Sequence, residues 1–252
     1  MNPLIRILQR AALSLTLIVA ATALQAAEVR VAVAANFIDA AKEIGAAFEA
    51  ETGHRAVLSF ASTGQLFTQI AAGAPFDVFL AADRDRPHRA VADGLADPDH
   101  RFTYAYGRLV LHSREPDLVV GPETLARDPV GRLAIANPAT APYGFAAVQV
   151  LERLGQWERY ATSVVRGTSI AQTYQFVATG NAELGFVSAS QLADRTGGSR
   201  WPVPDDLHDP IAQDAVLLTS AADREAALAF LAFLKGPRAA AIVERFGYAP
   251  GR

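Results

Sequence analysis

Short β-branched or apolar runs alternate with longer segments of helical period along most of the chain, which predicts a parallel sheet covered by helices. Val29–Ala34 reads as a strand, and the helix predicted over Phe37–Glu51 sets Phe37, Ile38, Ala41, Ile44, Ala47 and Phe48 on one face. A second strand, Val57–Phe60, leads to a helix over Gly64–Ala72, and a third, Val78–Ala81, leads to a helix that Asp83 is placed to cap. These segments make a βαβαβ unit.

A second series starts at Leu109–His112, runs through Leu133–Ala136 and continues in a helix from Tyr143 to Leu154 that stops at Gly155. Val164–Val165 reads as a short strand, Ile170–Ala178 as a helix and Leu184–Val187 as another strand. Ala215–Thr219 follows as a strand, then helices over Arg224–Leu234 and Arg238–Phe246, with Pro237 suited to the first turn of the last. Gly197–Pro210 is the longest irregular stretch. Two sheet-helix series, with a C-terminal portion able to rejoin the first, predict an α/β protein of two lobes. One lobe spans residues 28–106 plus 214–252 and the other 107–213, with crossings near Tyr106–Arg108 and Pro210–Asp214 and a ligand cleft between.

The amino end has a different character. Arg6 and Arg10 precede an apolar run from Ala11 to Ala23, and Leu24-Gln25-Ala26-Ala27 leads to the first acid, Glu28. This layout predicts a secretory signal peptide over residues 1–27; the run is too short for a hydrocarbon core that needs about 20 residues. The chain has no cysteine, so neither disulfides nor a lipid-bearing Cys is available, and an untethered exported protein is expected in a periplasm. Without the two arginines of the signal, 21 basic residues face 26 acidic ones, a net charge of −5. No basic stripe is present, which argues against nucleic acid and anionic membrane surfaces as partners.

Candidate chemistry gathers at four strand-to-helix connections: Ala35-Asn36, Ser62-Thr63-Gly64, Pro142-Tyr143-Gly144 and Thr168-Ser169-Ile170. Each presents backbone N–H groups and a positive helix end at the carboxyl edge of a sheet, where ligands bind in open α/β folds. Any one of these turns reads as an ordinary N-cap; four of them, two from each lobe, can converge on one anion. Neutral hydroxyls and amides suit a dehydrated dianion, and the spacing does not say which.

The segments Ala32–Phe37, Ser59–Leu66, Gly73–Asp83 with its Gly-Ala-Pro-x-Asp-x-Phe block, Asn137–Gly144 and Leu234-Lys235-Gly236-Pro237 resemble, in this order, the periplasmic molybdate-binding proteins of ABC importers. The resemblance implies a two-lobed type II periplasmic solute-binding fold. It also implies that molybdate or tungstate is held by hydroxyl and N–H groups, with no cofactor and no cation ligand, for delivery to a membrane permease. Carried over by position, the contacts fall on Ala35 and Asn36, the Thr63 hydroxyl, Tyr143 and the Ile170 backbone, with Ser62, Gly64, Ser169 and Ser188 as secondary candidates. Ser188 stands where part of the family has a Tyr hydroxyl, so Tyr143 is expected to supply that hydroxyl from another direction. The protein is expected to act as a monomer.

Other signals point elsewhere and are set aside. Asp83-Arg84-Asp85-Arg86-Pro87-His88 offers carboxylates and an imidazole, but interleaved arginines repel a divalent cation, and the segment opens a helix. His54, His88, His100, His112 and His208 lack ligand spacing, and neither a Gly-x-Ser-x-Gly elbow nor a phosphate-cradling Gly-x-x-x-x-Gly-Lys loop occurs. Trp157, placed at the far end of a helix, reads as packing, and Arg166 as a surface residue. A periplasmic hydrolase needs a nucleophile or acid-base pair that no loop supplies, and a regulator's effector domain does not fit a signal peptide. The expected function is binding without turnover, with sulfate, phosphate or an organic acid as the alternatives to molybdate.

Overall fold

The structure, a computed structural model, describes residues 26–127 and 131–251. The segment read as an export signal lies outside the described residues except for Ala26 and Ala27. The strands are β1 Glu28–Ala34, β2 Arg55–Ala61, β3 Val78–Leu80, β4 Ala96–Gly107, β5 Leu109–Ser113, β6 Leu133–Ala136, β7 Val165–Gly167, β8 Leu184–Ser188, β9 Ser199–Pro202, β10 Ile211–Leu218 and β11 Ala249–Pro250. The helices are α1 Ile38–Thr52, α2 Thr63–Ala71, α3 Asp85–Ala92, α4 Pro142–Arg153, α5 Trp157–Tyr160, α6 Ile170–Ala178, α7 Arg224–Lys235 and α8 Pro237–Arg245. Two sheets form, one of six strands in the order β11-β4-β10-β3-β1-β2 and one of five in the order β7-β6-β8-β5-β9. This is the α/β, two-lobed architecture that the alternation predicts, but both sheets are mixed rather than parallel, since β10 runs antiparallel to β3 and β4 and β5 antiparallel to β8 and β9.

In the six-stranded sheet, period-2 alternation sends Val29, Val31, Val33, Val78, Leu80, Ala215 and Leu217 to one face, beneath Phe48 of α1 and Phe230 of α7. Ala32, Phe79, Val216 and Leu218 pack on the other face with Leu66 and Ile70 of α2. Each fully buried Val, Leu or Phe contributes about 1.5–3 kcal/mol, so a sheet covered on both faces has a strong hold on its register.

That register positions the ends of the strands. β1 and β2 are parallel with Ala34 opposite Ala61, and β6 and β7 are parallel with Ala136 opposite Gly167. Within each sheet, two helix-bearing turns therefore begin at the same level.

The Gly-Ala-Pro-x-Asp-x-Phe block has a structural reason. Asp77 is buried and its carboxylate accepts the N–H of Arg30 at 2.6 Å and that of Ala222 at 2.8 Å, tying β1 and the turn before α7 to the start of β3. Asp77→Ala leaves two part-buried donors unpaired. Its expected cost is about 2–4 kcal/mol in urea unfolding, with anion affinity per folded molecule unchanged.

Several expectations change. The stretch Gly197–Pro210 is not wholly irregular, because it contains β9, paired antiparallel with β5, and a 3-10 turn at Asp205–Leu207. β4 was not expected, and β10 begins at Ile211 rather than Ala215. The short strand runs Val165–Gly167 instead of Val164–Val165. Trp157 opens α5 rather than ending a helix, although it does pack against the core of the five-stranded sheet. Asp83 caps from two residues ahead of α3, with Oδ1 accepting the Arg86 N–H at 3.0 Å while Arg86 also pairs with its carboxylate.

Candidate functional site

The level strand ends bring the four predicted turns to one place. Ala35, Asn36, Ser62, Thr63, Tyr143 and Ile170, with Ala34, Ala82, Ala141 and Pro142, line a single small cavity of about 10 Å³. That is below the roughly 300–1,000 Å³ usual for clefts that take drug-sized ligands. Size alone does not mark the site: a groove of about 490 Å³ between α1 and α8 is larger, but its two cations, Arg238 and Arg245, are paired with Glu51 and Glu43.

Each lining turn opens a helix. A 3-10 turn at Ala35–Phe37 leads into α1, and Thr63, Pro142 and Ile170 are the first residues of α2, α4 and α6. First-turn N–H groups have no intrahelical acceptor. Among the described residues, none of the N–H groups of Asn36, Thr63, Tyr143 and Ile170 has a loop carbonyl as partner. Four helix starts thus present free donors and the positive ends of their dipoles to one cavity whose lining has no charged side chain.

The side chains divide into those that serve the cavity and those that serve the frame. Thr63 Oγ1 accepts the N–H of Ala82 at 3.0 Å, which fixes the hydroxyl and leaves its proton to be donated. Ser62 lines the cavity, yet its hydroxyl is engaged with Gln65 Oε1 at 2.9 Å in a capping box.

Three secondary candidates do not line the cavity. Gly64 N–H donates to Thr140 O at 2.8 Å, Ser169 Oγ accepts the Gln172 N–H as the cap of α6, and Ser188 Oγ is held by Ser190 Oγ at 2.8 Å and by Gln191.

The hydroxyl expected from Tyr143 points to other partners. It accepts from Gln213 Nε2 at 3.3 Å and lies so close over Gly107 that a Cβ there would stand 2.1 Å from it. Burial raises the Tyr143 phenol well above its ordinary pKa, so it stays protonated. What Tyr143 can offer the cavity is its N–H. The Asn36 amide likewise faces inward, with Nδ2 donating to Gln213 Oε1 at 2.9 Å and to Tyr248 OH at 3.1 Å.

Sequence reasoning missed the buried polar groups behind the cavity, Tyr104, Ser190, Gln213 and Tyr248. No local signal pointed to them, since Gln213 falls in the expected crossing Pro210–Asp214, ahead of the strand expected from Ala215.

Closeness of the two sheets is visible in bonds that bridge them. Gly64 meets Thr140, and Arg86 Nη2 donates to Ala139 O at 3.0 Å.

Comparisons with known proteins agree with this geometry. Residues 29–249 match the family described as bacterial extracellular solute-binding protein. The molybdate-binding protein ModA of Rhodobacter capsulatus is 50% identical over 223 residues, covering 88% of each chain. ModA of Azotobacter vinelandii is 52% identical over 232 residues, covering 90% of this chain and 92% of that one. Among solved structures, the periplasmic molybdate-binding protein of Azotobacter vinelandii superposes with a TM-score of 0.86 at 38% identity, over 89% of this chain and 100% of the other. The chain therefore belongs to the bacterial extracellular solute-binding proteins, and within them to the ModA group.

Proposed function

We propose that this protein captures molybdate, or its near-isostere tungstate, as a dehydrated dianion between its two lobes and hands it to the membrane permease of an ABC importer. The observation that carries this reading is the convergence of four helix starts and the Thr63 hydroxyl on one small cavity without charged groups. Neutral donors favour an ion that carries full charge and no proton, since no carboxylate is there to accept one. The relatives named as molybdate-binding proteins support it. Turnover is absent from the reading, because the lining offers no acid-base pair.

In this reading residues 1–27 direct export to the periplasm, residues 28–106 with 214–252 form one lobe and 107–213 the other, and the protein works as a monomer. Ala35, Asn36, Tyr143 and Ile170 contribute N–H groups, and Thr63 contributes its hydroxyl.

A thermal-shift panel on the mature protein tests the ligand. A ligand at a hundred times its dissociation constant adds about 2.7 kcal/mol of stability. Molybdate and tungstate are expected to raise Tm while sulfate and phosphate leave it nearly unchanged. An equal or larger shift with sulfate overturns the molybdate reading and spares the fold.

A further inference from the structure

Behind the cavity, three polar groups from distant parts of the chain meet in a triangle. Tyr248 OH donates to the carbonyl of Asn36 at 2.7 Å, Ser190 Oγ reaches the same carbonyl at 2.8 Å, and the two hydroxyls are 2.9 Å apart. Asn36 follows β1 and Tyr248 precedes β11, both in the six-stranded sheet, whereas Ser190 sits in the 3-10 turn after β8 of the five-stranded sheet. All three are buried.

The bonding is saturated in one direction. The carbonyl takes two donors, the Asn36 amide spends its protons on Tyr248 and Gln213, and Ser190 Oγ is steadied by Ser188 Oγ at 2.8 Å. Asn36 is therefore held on both its main chain and its side chain, and the N–H it turns to the cavity is fixed by groups that never touch the anion.

We propose that Tyr248 and Ser190 are positioning residues that form a clasp: Ser190 reaches Asn36 O and Tyr248 OH only when the lobes are together, and this contact slows release of the anion. The proposal rests on the molybdate reading above. The Tyr248–Asn36 bond lies within one lobe and persists when the lobes part, whereas the Ser190 bonds join the two lobes and are lost on opening. An open lobe leaves the Ser190 hydroxyl to water at little cost, so the clasp adds to the stability of the closed, loaded form and not to that of the free protein.

The tests are Tyr248→Phe, Ser190→Ala and the double variant, each titrated with molybdate by calorimetry, followed by stopped-flow release and melted without ligand. Phenylalanine keeps the edge-to-face packing of residue 248 on Phe37, whose ring centroid is 5.2 Å away. Each single substitution is expected to weaken binding roughly five- to thirty-fold, the range for one or two lost hydrogen bonds. The loss should appear in the release rate with association nearly unchanged, and the double variant should be no weaker than the weaker single one. The ligand-free Tm of Ser190→Ala should equal that of the wild type.

Affinities that stay at the wild-type value, or losses that multiply in the double variant, overturn the clasp while leaving the molybdate reading intact. A ligand-free Tm for Ser190→Ala that falls as far as the loaded one also overturns it, since the bond would then be a fixture of the free fold. A wild-type protein that takes up no molybdate in the same titration removes the ligand reading and the clasp together.

Discussion

Thr63→Ala is expected to lower molybdate affinity roughly ten- to a hundred-fold, the effect of losing about 1.5–3 kcal/mol of hydrogen bonding to a charged partner. Thr63 is 1% exposed and lines the cavity. Its oxygen is occupied by the N–H of Ala82, so the hydroxyl proton has no better acceptor than the anion. The same substitution strands the Ala82 N–H, which costs the free protein about 1 kcal/mol or more and appears as a lower ligand-free Tm. Thr63→Ser separates the two effects, because it keeps the hydroxyl and deletes a methyl: affinity should stay within a few-fold of wild type. Ser188→Ala should cost far less than Thr63→Ala, since the Ser188 hydroxyl is spent on Ser190 and Gln191. Titration calorimetry giving the reverse order means that the second turn does not donate to the ligand.

Gly144→Ala is expected to have the larger combined effect on stability and binding. A Cβ at position 144 would stand 2.1 Å from the carbonyl oxygen of Ala136 and 2.6 Å from its carbonyl carbon. Both are backbone atoms of β6, so no side-chain rotation relieves the clash, and the start of α4 must lift away from the strand. Overpacking of this kind costs about 1–3 kcal/mol or more. The displaced segment carries the Tyr143 N–H, so affinity falls as well, by an expected tenfold or more. Ligand-free melting and calorimetry read the two losses separately. A variant with wild-type Tm and affinity shows that α4 has room to move and that its start does not grip the anion.

The contrast between these two sites shows what the sequence made legible. The turns at Asn36, Thr63, Tyr143 and Ile170 were readable because each lies where a period-2 run passes into a period-3.6 run, a purely local signal. β4 was not, since its first half, Ala96–Arg101, carries Asp97, Pro98, Asp99 and His100 and looks like a loop. It becomes a strand by pairing with β10 more than a hundred residues later. The same distance hid the start of β10. Gln213 and Asp214 fall in the expected crossing Pro210–Asp214, yet both are buried in β10: Asp214 is held by Arg101 at 2.7 Å and by Thr103 at 2.7 Å, and Gln213 by Asn36 and Tyr104. Tyr248 and Ser190 lie 58 residues apart and meet over Asn36. Nothing in the spacing of such residues announces a bond between them.

The route of the chain through its two sheets bears on how the protein is made. The five-stranded sheet draws on the continuous span from Leu109 to Pro202, so it can form as soon as that span exists. The six-stranded sheet cannot, because β10 lies between β3 and β4 and is among the last strands to be synthesised. Closing so long a loop is slow in entropic terms, and docking of β10 is the natural bottleneck in folding. Until it docks, β3 and β4 face an unfilled slot with open edges, the template on which strands of other molecules pair. A chain cut short before Ile211 therefore does not become a smaller folded protein; it keeps that slot open and is directed toward aggregation.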